Sequence, residues 1–326
     1  MSLRGSKAAY AAAKSALPVD AMRLRLILPF LFALGAAAPA FAAHTSVRLS
    51  AAAPRTAVIS AFGPELTALE AATTDKHRVV FGGATFVTGM LEGKPVVLLL
   101  SGMSLVNASM STERVLDRFH VARIVFSGIA GGVDPGLDVG DVVVADQWGQ
   151  YLESVMAREV APGKYDLPKE SDFFAPYGAM HPRGVVVDGS SRDSETRKFW
   201  FAADPAMLAV ARRVAADVQL KRCIADRCLV KTPKVVVGGA GVSGQAFVDN
   251  AAFRTWAFET FHARVLDMET AAVAQVAYVH GVPFIAFRSL SDLAGGDPGQ
   301  NQAGVFFQLA SDNSATTVRA FLKALP

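Results

Sequence analysis

Short apolar runs alternate with amphipathic segments along the chain from residue 56 onward. Continuous apolar runs of about four to eight residues are typical of buried strands, whereas apolar positions spaced by three and four predict helices. The predicted strands are Thr56–Ser60, Val79–Phe81, Ala84–Thr88, Pro95–Leu100, Arg123–Ser127, Leu137–Ala145, Lys234–Val237 and Phe284–Leu290. One predicted helix has Pro64 at its first position and Glu65 in its opening turn. The other predicted helices span Val106–Phe119, Pro205–Gln219, Asn250–His262 and Met268–Val279. This alternation predicts an α/β sandwich around a largely parallel or mixed sheet.

Glycine-rich and polar segments separate these elements. Gly82-Gly83 is predicted to turn a hairpin, and Gly128–Gly132 is predicted to be a loop. The strand Lys234–Val237 is expected to end at the glycine-rich stretch Gly238–Gly241. The stretch from Gln147 to Asp204 is richer in Pro, Gly, aromatic and charged residues, which favours loops or insertions around the core. No internal repeat or second boundary interrupts residues 56–326, so one domain is expected there.

The N-terminal region has the pattern of an export signal. Met22–Arg25 is a short positive segment, Leu26–Ala38 is an apolar run, and Ala40–Ala42 has the small-x-small form of a cleavage site. The run is shorter than the roughly 20 residues of a membrane-spanning helix, which argues against a permanent anchor. Residues 1–43 are therefore predicted to consist of an upstream extension, Met1–Ala21, followed by a signal peptide. The extension would be absent from the protein if translation starts at Met22. Residues 44–55 are expected to be a linker, and the mature protein is expected to be exported and free of the membrane.

Composition and charge narrow the function classes. Hydrophobic residues make up 52% of the 326 residues and charged residues 19%, which favours a large buried core over disorder. The formal net charge is only +3, and no Lys/Arg run is interleaved with aromatic residues. Nucleic-acid binding therefore has little support.

Metal and cofactor chemistry have equally little support. The two cysteines, Cys223 and Cys228, are close in sequence, and in an oxidising compartment such a pair favours a local disulfide. A metal site would need further Cys or His ligands near them, and the six histidines are scattered along the chain. We expect a structural disulfide, no metal and no organic cofactor.

Three acidic residues lie where strands end or helices begin. Glu65 follows the first strand, Glu269 starts a helix, and Asp292 follows the strand Phe284–Leu290. Ligands of open α/β sheets collect beyond the carboxyl ends of the strands. Acids in a first helical turn can also simply complement the helix dipole, so position alone does not identify a site.

The sequence around these acids resembles the nucleoside phosphorylase/nucleosidase superfamily. The motifs occur in that family's order: Ile59–Glu65, Ser101–Met103, Gly128–Gly132, Val242–Val248 and Val265–Ala272 followed by Val282–Asp292. Within the family, they resemble the methylthioadenosine/adenosylhomocysteine nucleosidases. The stretches Val236–Ser243, Phe247–Ala252 and Ser291–Gly296 are also similar to the secreted subgroup that includes bark storage proteins. The resemblance implies a three-layer sandwich with a mixed central sheet.

It also implies roles for individual residues. Asp292 matches the acid that protonates N7 of a purine, Glu269 matches the carboxylate that grips the ribose hydroxyls, and Glu65 matches the glutamate that orients and deprotonates water. Six further positions match residues around the substrate: Met268 and Met103 beside the sugar, Phe247 stacked on the purine, Val248 reading its edge through the backbone, and Ala130 and Gly131 in close backbone approach. A homo-oligomer is implied, with a dimer favoured.

The chain departs from the family pattern at three positions. Ile129 stands where a serine usually helps to hold the catalytic aspartate, Gln245 replaces an aspartate in the purine loop, and Phe62 replaces a methionine near the 5′ side of the sugar. Substrate identity is therefore less well specified than the reaction class.

Hydrolysis of a purine nucleoside has two competing alternatives. Phosphorolysis would need converging Arg or Lys or free backbone amides, and neither Ser101–Ser104 nor Gly63–Glu65 contains an arginine. A carboxylate at Glu65 would also repel phosphate, which favours water. The other alternative is a non-catalytic storage or nucleoside-binding protein on the same fold. Retention of all three acids favours an enzyme, although the same acids could bind a nucleoside without cleaving it.

Overall fold

A computed structural model of the chain describes residues 53–167, 174–187 and 197–326, all within one unit, Ser46–Pro326. The predicted signal peptide and most of the predicted linker lie outside the described residues. Arg55, which was assigned to the linker, already belongs to the first strand. No helix of the described ranges is long and apolar enough to cross a membrane.

The described chain contains strands and helices in regular alternation at both ends and several short strands in its middle. In chain order they are β1 (Arg55–Ser60), α1 (Gly63–Ala72), β2 (Thr74–Phe81), β3 (Ala84–Leu91), β4 (Lys94–Leu100), α2 (Leu105–Arg118), β5 (Val121–Gly132), β6 (Val142–Val144), β7 (Gln147–Gln150), β8 (Ser154–Met156), β9 (Arg158–Ala161), β10 (Lys164–Asp166), β11 (Met180–Pro182), β12 (Phe201–Ala202), α3 (Pro205–Ala215), β13 (Cys223–Ile224), β14 (Arg227–Cys228), β15 (Val235–Val237), β16 (Ala240–Ser243), α4 (Ala251–Phe261), β17 (Ala263–Asp267), α5 (Thr270–His280), β18 (Phe284–Asp292) and α6 (Ala303–Ala324).

Twelve of the described strands form one mixed sheet. Its main path runs β12-β7-β16-β17-β5-β1-β4-β3-β2, and β18 joins β5 to a branch made of β6 and β15. The centre is parallel, because β1 pairs in parallel with both β4 and β5, and β18 pairs in parallel with β5. The pairs β2–β3, β3–β4, β17–β5 and β18–β6 are antiparallel. The predicted hairpin and the predicted mixed sheet are confirmed.

Helices cover both faces of this sheet. Alternate residues of β1 point to opposite faces: Ala57 and Ile59 pack in the core that contains α2 and α5, whereas Val58 packs in the core that contains α1, α3 and α6. A buried strand needs apolar residues on both faces, which explains why β1, β4 and β18 read as continuous apolar runs. The three-layer arrangement is confirmed.

Five segments differ from the sequence-based expectations. Gly128–Gly132 is not a loop but the last part of β5, and Ala240 and Gly241 already belong to β16. Gln147–Gln150 is not an insertion but strand β7 of the central sheet. The predicted strand Leu137–Ala145 shrinks to β6, and the last helix before β18 begins at Thr270 rather than Met268.

The glycines of β5 are required by packing, which a propensity argument cannot detect. A Cβ atom on Gly128 would lie 2.4 Å from both a guanidinium nitrogen of Arg288 and a carboxylate oxygen of Glu65. Glycine weakens a strand, so the pattern favoured a loop. Here the missing side chain makes room for two charged groups.

A disulfide joins Cys223 to Cys228 across the short hairpin β13–β14. Directly after it, Leu229 packs with Phe306 and Leu309 of α6. The hairpin is therefore attached to the N-terminal half of α6, far along the sequence from the cysteines.

Candidate active site

A cavity of about 390 Å³ opens at the carboxyl ends of β1, β5 and β18. Its walls include all nine residues that the family resemblance assigns to the site: Glu65, Met103, Ala130, Gly131, Phe247, Val248, Met268, Glu269 and Asp292. The cavity also contacts Ala61, Phe62, Ile129, Ala246, Leu266, Asp267, Arg288, Ser291, Ala303 and Phe307. Residues more than 200 positions apart in the sequence thus converge because parallel strands end at the same edge of the sheet.

Glu65 is held rigidly at the start of α1. Proline at the first turn begins this helix, and the Glu65 side chain folds back to accept hydrogen bonds from the backbone N–H groups of Ala61 (2.6 Å) and Phe62 (3.4 Å). Its other oxygen accepts a hydrogen bond from the N–H of Ile129 at 2.8 Å. Burial raises the pKa of Glu65 to about 7, against the lowering effect of Arg288 and the backbone N–H groups.

Arg288 is a fully buried cation beneath the cavity. Its Nη2 donates to Glu269 at 3.0 Å, and its Nε lies 2.9 Å from a carboxylate oxygen of Asp267. Its guanidinium also lies 4.8 Å from the ring centroid of Phe126. Burial opposes the charge of Arg288, but the carboxylates of Asp267, Glu65 and Glu269 outweigh that effect and raise its pKa.

Glu269 lies at the entrance to α5, where Asp267 rather than Glu269 caps the helix. The Asp267 carboxylate accepts hydrogen bonds from the N–H groups of Glu269 and Thr270, each at 3.1 Å. This leaves the Glu269 side chain free to point into the cavity, where it accepts from the N–H of Ser104 at 2.7 Å and from Arg288. Burial raises the pKa of Glu269, and Asp267 adds to this while Arg288 opposes it.

Asp292 ends β18 and is almost completely buried. One oxygen accepts a hydrogen bond from the N–H of Ala294 at 2.8 Å, and the other accepts from the hydroxyl of Ser291 at 2.9 Å. Burial raises the pKa of Asp292 despite these donors, and the nearby carboxylate of Asp297 raises it further. Ile129 stands at the position of the expected serine, but it has no side-chain hydroxyl that could donate to Asp292. Its backbone N–H donates to Glu65 instead.

The remaining walls are apolar. Phe247 is 65% exposed at the mouth of the cavity, whereas Val248 beside it is buried. On another side, the rings of Phe62 and Phe307 meet at a centroid distance of 4.9 Å. The site therefore combines a flat aromatic surface, an apolar wall and four buried carboxyl groups, those of Glu65, Asp267, Glu269 and Asp292.

Sequence reasoning missed several residues of the site, above all Arg288, Asp267 and Phe307. Arg288 carried a detectable signal, because a charged residue inside the apolar strand Phe284–Asp292 must have buried partners. Phe307 belongs to α6, a helix of 22 residues that was not predicted. Within the described ranges no group of three or more His, Cys, Asp or Glu side chains is arranged to hold a metal ion.

Comparison with known families matches residues 55–325 to the phosphorylase superfamily. Two relatives are 5′-methylthioadenosine/S-adenosylhomocysteine nucleosidases. That of Bacillus licheniformis is 30% identical over 273 residues, covering 82% of this chain and 98% of that protein. That of Marinomonas sp. is 31% identical over 268 residues, covering 82% of this chain and 97% of that protein.

Solved structures give the same picture. The nucleosidase of Neisseria meningitidis, solved in complex with methylthio-immucillin-A, superposes with a TM-score of 0.62 at 25% identity, covering 84% of this chain and all of that one. The nucleosidase of S. pneumoniae, solved with a transition-state inhibitor, gives a TM-score of 0.61 at 25% identity over 83% of this chain and all of that one.

Proposed function

Because this chain belongs to the phosphorylase superfamily, we propose that it is a purine nucleosidase, which hydrolyses the N-glycosidic bond of a purine nucleoside and releases the free base. The observation that carries this function is the convergence of three buried carboxyl groups, Glu65, Glu269 and Asp292, on one cavity that an aromatic ring flanks. Each has a raised pKa. Perturbed carboxyl groups in one cleft are the usual requirement for acid–base chemistry.

Asp292 is the general acid. A purine leaves poorly as an anion, so a proton must reach N7 as the bond to the sugar breaks. Burial raises the pKa of Asp292 and so favours the protonated form that can donate. Its hydrogen bonds to Ser291 and Ala294 hold the carboxyl in one orientation.

Glu65 is the general base. Its carboxylate takes a proton from water, and the oxygen of that water forms a bond to the anomeric carbon while the bond to the purine breaks. A base works best when its pKa is near the operating pH, and the pKa of Glu65 is about 7. Its three backbone donors fix the direction from which water is activated.

Glu269 stabilises the sugar as it acquires positive charge. A carboxylate that accepts hydrogen bonds from ribose hydroxyls increases electron density on the ring when the bond breaks. Arg288 favours the ionised form of Glu269 against the effect of burial, because its guanidinium donates to one oxygen of this carboxylate. Met268 and Met103 contact the sugar from either side.

The purine stacks on Phe247 and is read by the backbone of Val248, with Ala130 and Gly131 close to the ligand. Phe62 and Phe307 form an apolar wall that suits a thioether at the 5′ position of the sugar. The relatives are nucleosidases of methylthioadenosine and adenosylhomocysteine. We take these two nucleosides as the substrates to test first.

Water is favoured over phosphate as the nucleophile. Of the side chains that line the cavity in the described ranges, Arg288 is the only Lys or Arg, and it already pairs with Glu269 and Asp267. A phosphate dianion would meet the carboxylate of Glu65 with no free cation to offset the repulsion.

The test is free-base release from methylthioadenosine and adenosylhomocysteine in phosphate-free buffer. We expect full turnover without phosphate and no sugar phosphate among the products when phosphate is added. If base release depended strictly on phosphate, the reaction at this site would be phosphorolysis and not hydrolysis.

We also propose that the mature protein is exported. The signal-like segment before Ala43 and the disulfide Cys223–Cys228 support this, because disulfides persist mainly in oxidising compartments. Cell fractionation with N-terminal sequencing tests it: a mature chain beginning near Ala43 outside the cytoplasm is expected, and a full-length cytoplasmic chain would contradict it.

A dimer is our proposal for the assembly. Val106 and Met110 of α2 are 59% and 43% exposed, close to the cavity mouth at Met103. Clustered exposed apolar side chains of this kind mark interaction surfaces. Light scattering on the purified protein is expected to give twice the mass of one chain, and a monomer at micromolar concentration would contradict the proposal.

A further inference from the structure

Ser104, the residue before α2, has a backbone conformation that glycine adopts far more readily than any other residue. Its φ is +80° and its ψ is +159°, a region where a Cβ atom is strained against the neighbouring backbone. Two positions earlier, where φ is +78°, the chain has Gly102. The shape of this turn therefore does not require serine at position 104, and glycine would fit it with less strain.

The usual reason for a serine before a helix does not apply either. A serine at this position normally accepts a hydrogen bond from a backbone N–H of the first helical turn. In the described part of the chain, the Ser104 side chain makes no such capping bond to α2. Its hydroxyl instead donates to Oε1 of Gln245 at 3.3 Å, across a separation of 141 residues. The side chain of Ser104 therefore makes its contact outside its own helix.

The backbone of Ser104 contacts a different part of the site. In this conformation its N–H donates to Oε1 of Glu269 at 2.7 Å. Glu269 is the carboxylate that we propose accepts hydrogen bonds from the ribose hydroxyls. Ser104 thus connects Glu269, through its N–H, with Gln245, through its hydroxyl, although it does not itself line the cavity.

Gln245 belongs to the purine-side loop, residues 244–248. The first residue of this loop is fixed, because the N–H of Gly244 donates to the carbonyl of Asp267 at 3.0 Å. Beyond it, the side chains of Gln245 and Phe247 are exposed, so little packing holds them in place. The hydrogen bond that Gln245 accepts therefore restrains the exposed part of the loop.

Ser104 lies on a rigid element. Its carbonyl accepts a hydrogen bond from the N–H of Ala108 at 3.0 Å. Leu105 and Ala108 are buried in the hydrophobic core, and α2 packs against α5, the helix that directly follows Glu269. The loop is thus tied to a part of the protein that does not depend on exposed side chains for its position.

We infer that Ser104 is a positioning residue, which holds the purine-side loop at a fixed distance from the ribose carboxylate Glu269. The inference rests on the proposed function, because the two parts that Ser104 connects are those proposed to hold the base and the sugar. The hydroxyl orders the loop before the substrate reacts, so it should stabilise the ground state and the transition state equally. Its loss should therefore raise KM and leave kcat nearly unchanged.

Two substitutions at Ser104 separate the contact with the loop from the strain of the backbone. Ser104→Ala and Ser104→Gly both lose the hydroxyl, and both retain the N–H that donates to Glu269. We expect each to raise KM for methylthioadenosine by about three- to tenfold, the usual contribution of one hydrogen bond, with kcat within about twofold of wild type. The Tm of Ser104→Gly should exceed that of Ser104→Ala, because only glycine relieves the strain at this φ.

Ser109→Ala is the matched control. Ser109 lies on the same helix, but its hydroxyl donates to the carbonyl of Leu105 at 2.9 Å and not to the loop. This variant should match wild type in KM and kcat. If the role of Ser104 were merely structural, KM would follow Tm, and Ser104→Gly would bind substrate at least as well as wild type. That result, or an unchanged KM in both variants at position 104, would overturn the inference.

A double-mutant cycle tests whether Ser104 acts through Gln245. Gln245→Ala alone should raise KM about as much as Ser104→Ala does, and the double variant should be no worse than the worse single variant. Additive effects on KM in the double variant would overturn the link between the two side chains.

Hydrogen exchange of the ligand-free protein keeps this inference distinct from the proposed function. The amides of Ala246 and Phe247 should exchange faster in Ser104→Ala and Ser104→Gly than in wild type, whereas those of the central strand β5 should be unchanged. If wild type releases no base but the loop amides respond in this way, the function is rejected and the role of Ser104 in ordering the loop stands. Equal exchange of the loop amides in all three proteins would reject the role of Ser104, whatever the activity.

Discussion

The burial of Glu65 that raises its pKa for catalysis also lowers the stability of the folded protein at neutral pH. Its pKa is raised by burial from 4.5 to about 7, so between these values the folded state binds more protons than the unfolded state. Stability therefore falls as pH rises through this window. We predict that Glu65→Gln gains stability relative to wild type between about pH 5 and about pH 8, by up to about 3 kcal/mol in the free energy of unfolding. Urea denaturation at both pH values measures it.

The matched control is Glu259→Gln, which removes an exposed carboxylate of α4 and should leave the difference between the two pH values as in wild type. Glu65→Gln should also lose base release, and wild-type kcat/KM should rise as pH passes through about 7 because Glu65 must be ionised to act as a base. If the stability of Glu65→Gln and of wild type depended on pH in the same way, ionisation of Glu65 would not be the cause of the loss of stability at high pH.

Individual site residues were predictable only where a motif surrounded them. Glu65, Glu269 and Asp292 follow strands or begin helices, but many acids do so, and family motifs were needed to select them. No motif rule pointed to the role of Asp267, which caps α5 and so leaves Glu269 free to enter the cavity. Which of the two acids caps the helix and which enters the cavity depends on distances in the folded protein, and these cannot be read from the sequence.

Among the elements, β5 carries the most demanding packing. Gly128→Ala would place a methyl group 2.4 Å from the charged groups of Arg288 and Glu65, and neither can move without losing buried partners. We predict a loss of stability of about 1–3 kcal/mol and a loss of base release by more than tenfold. Thermal unfolding and an activity assay measure both.

Gly304→Ala is the control for this substitution. Gly304 lies in the first turn of α6, is exposed and has open space where a Cβ would be. Alanine is preferred over glycine in a helix, so this variant should be equal to or slightly more stable than wild type. Equal stability and activity of Gly128→Ala and wild type would refute the packing account of β5.

The disulfide of the hairpin β13–β14 is expected to stabilise the folded protein. Its disulfide closes a short loop, and in the chain-entropy model a loop of this size contributes about 2 kcal/mol. The double variant Cys223→Ser/Cys228→Ser should lose about that much in urea denaturation. A reducing agent should shift wild type by the same amount and leave the double variant unchanged. A shift of the double variant by the reducing agent would contradict this explanation.

Elements with a clear pattern of apolar residues could be predicted from the sequence. Elements that form because of their tertiary contacts could not. The hairpin β2–β3 and strands β1, β4 and β18 follow from apolar runs and turn glycines. Strand β7 was missed because its sequence, Gln147–Gln150, is half polar, and it exists through its pairing with β12 and β16. Glycines hid the last part of β5 and all of β16, where close neighbours leave no room for a side chain.

For the whole molecule, the order of strands in the sheet assembles the site. Parallel pairing of β18 with β5 and of β5 with β1 brings Asp292, Ile129 and Glu65 to one edge although they are far apart in sequence. The fold class was predictable from strand–helix alternation. The strand order was not, because nothing local specifies that β18 is inserted beside β5.

The most direct test of the account compares wild type with Asp292→Asn, using methylthioadenosine in phosphate-free buffer. Asparagine keeps the shape of the acid but has no acidic proton to transfer to N7, so base release should fall by at least about 100-fold. Calorimetric titration should show that nucleoside binding is retained. Equal rates of base release in the two proteins, or binding by wild type without any base released, would contradict the claim that Asp292 is the acid of a purine nucleosidase.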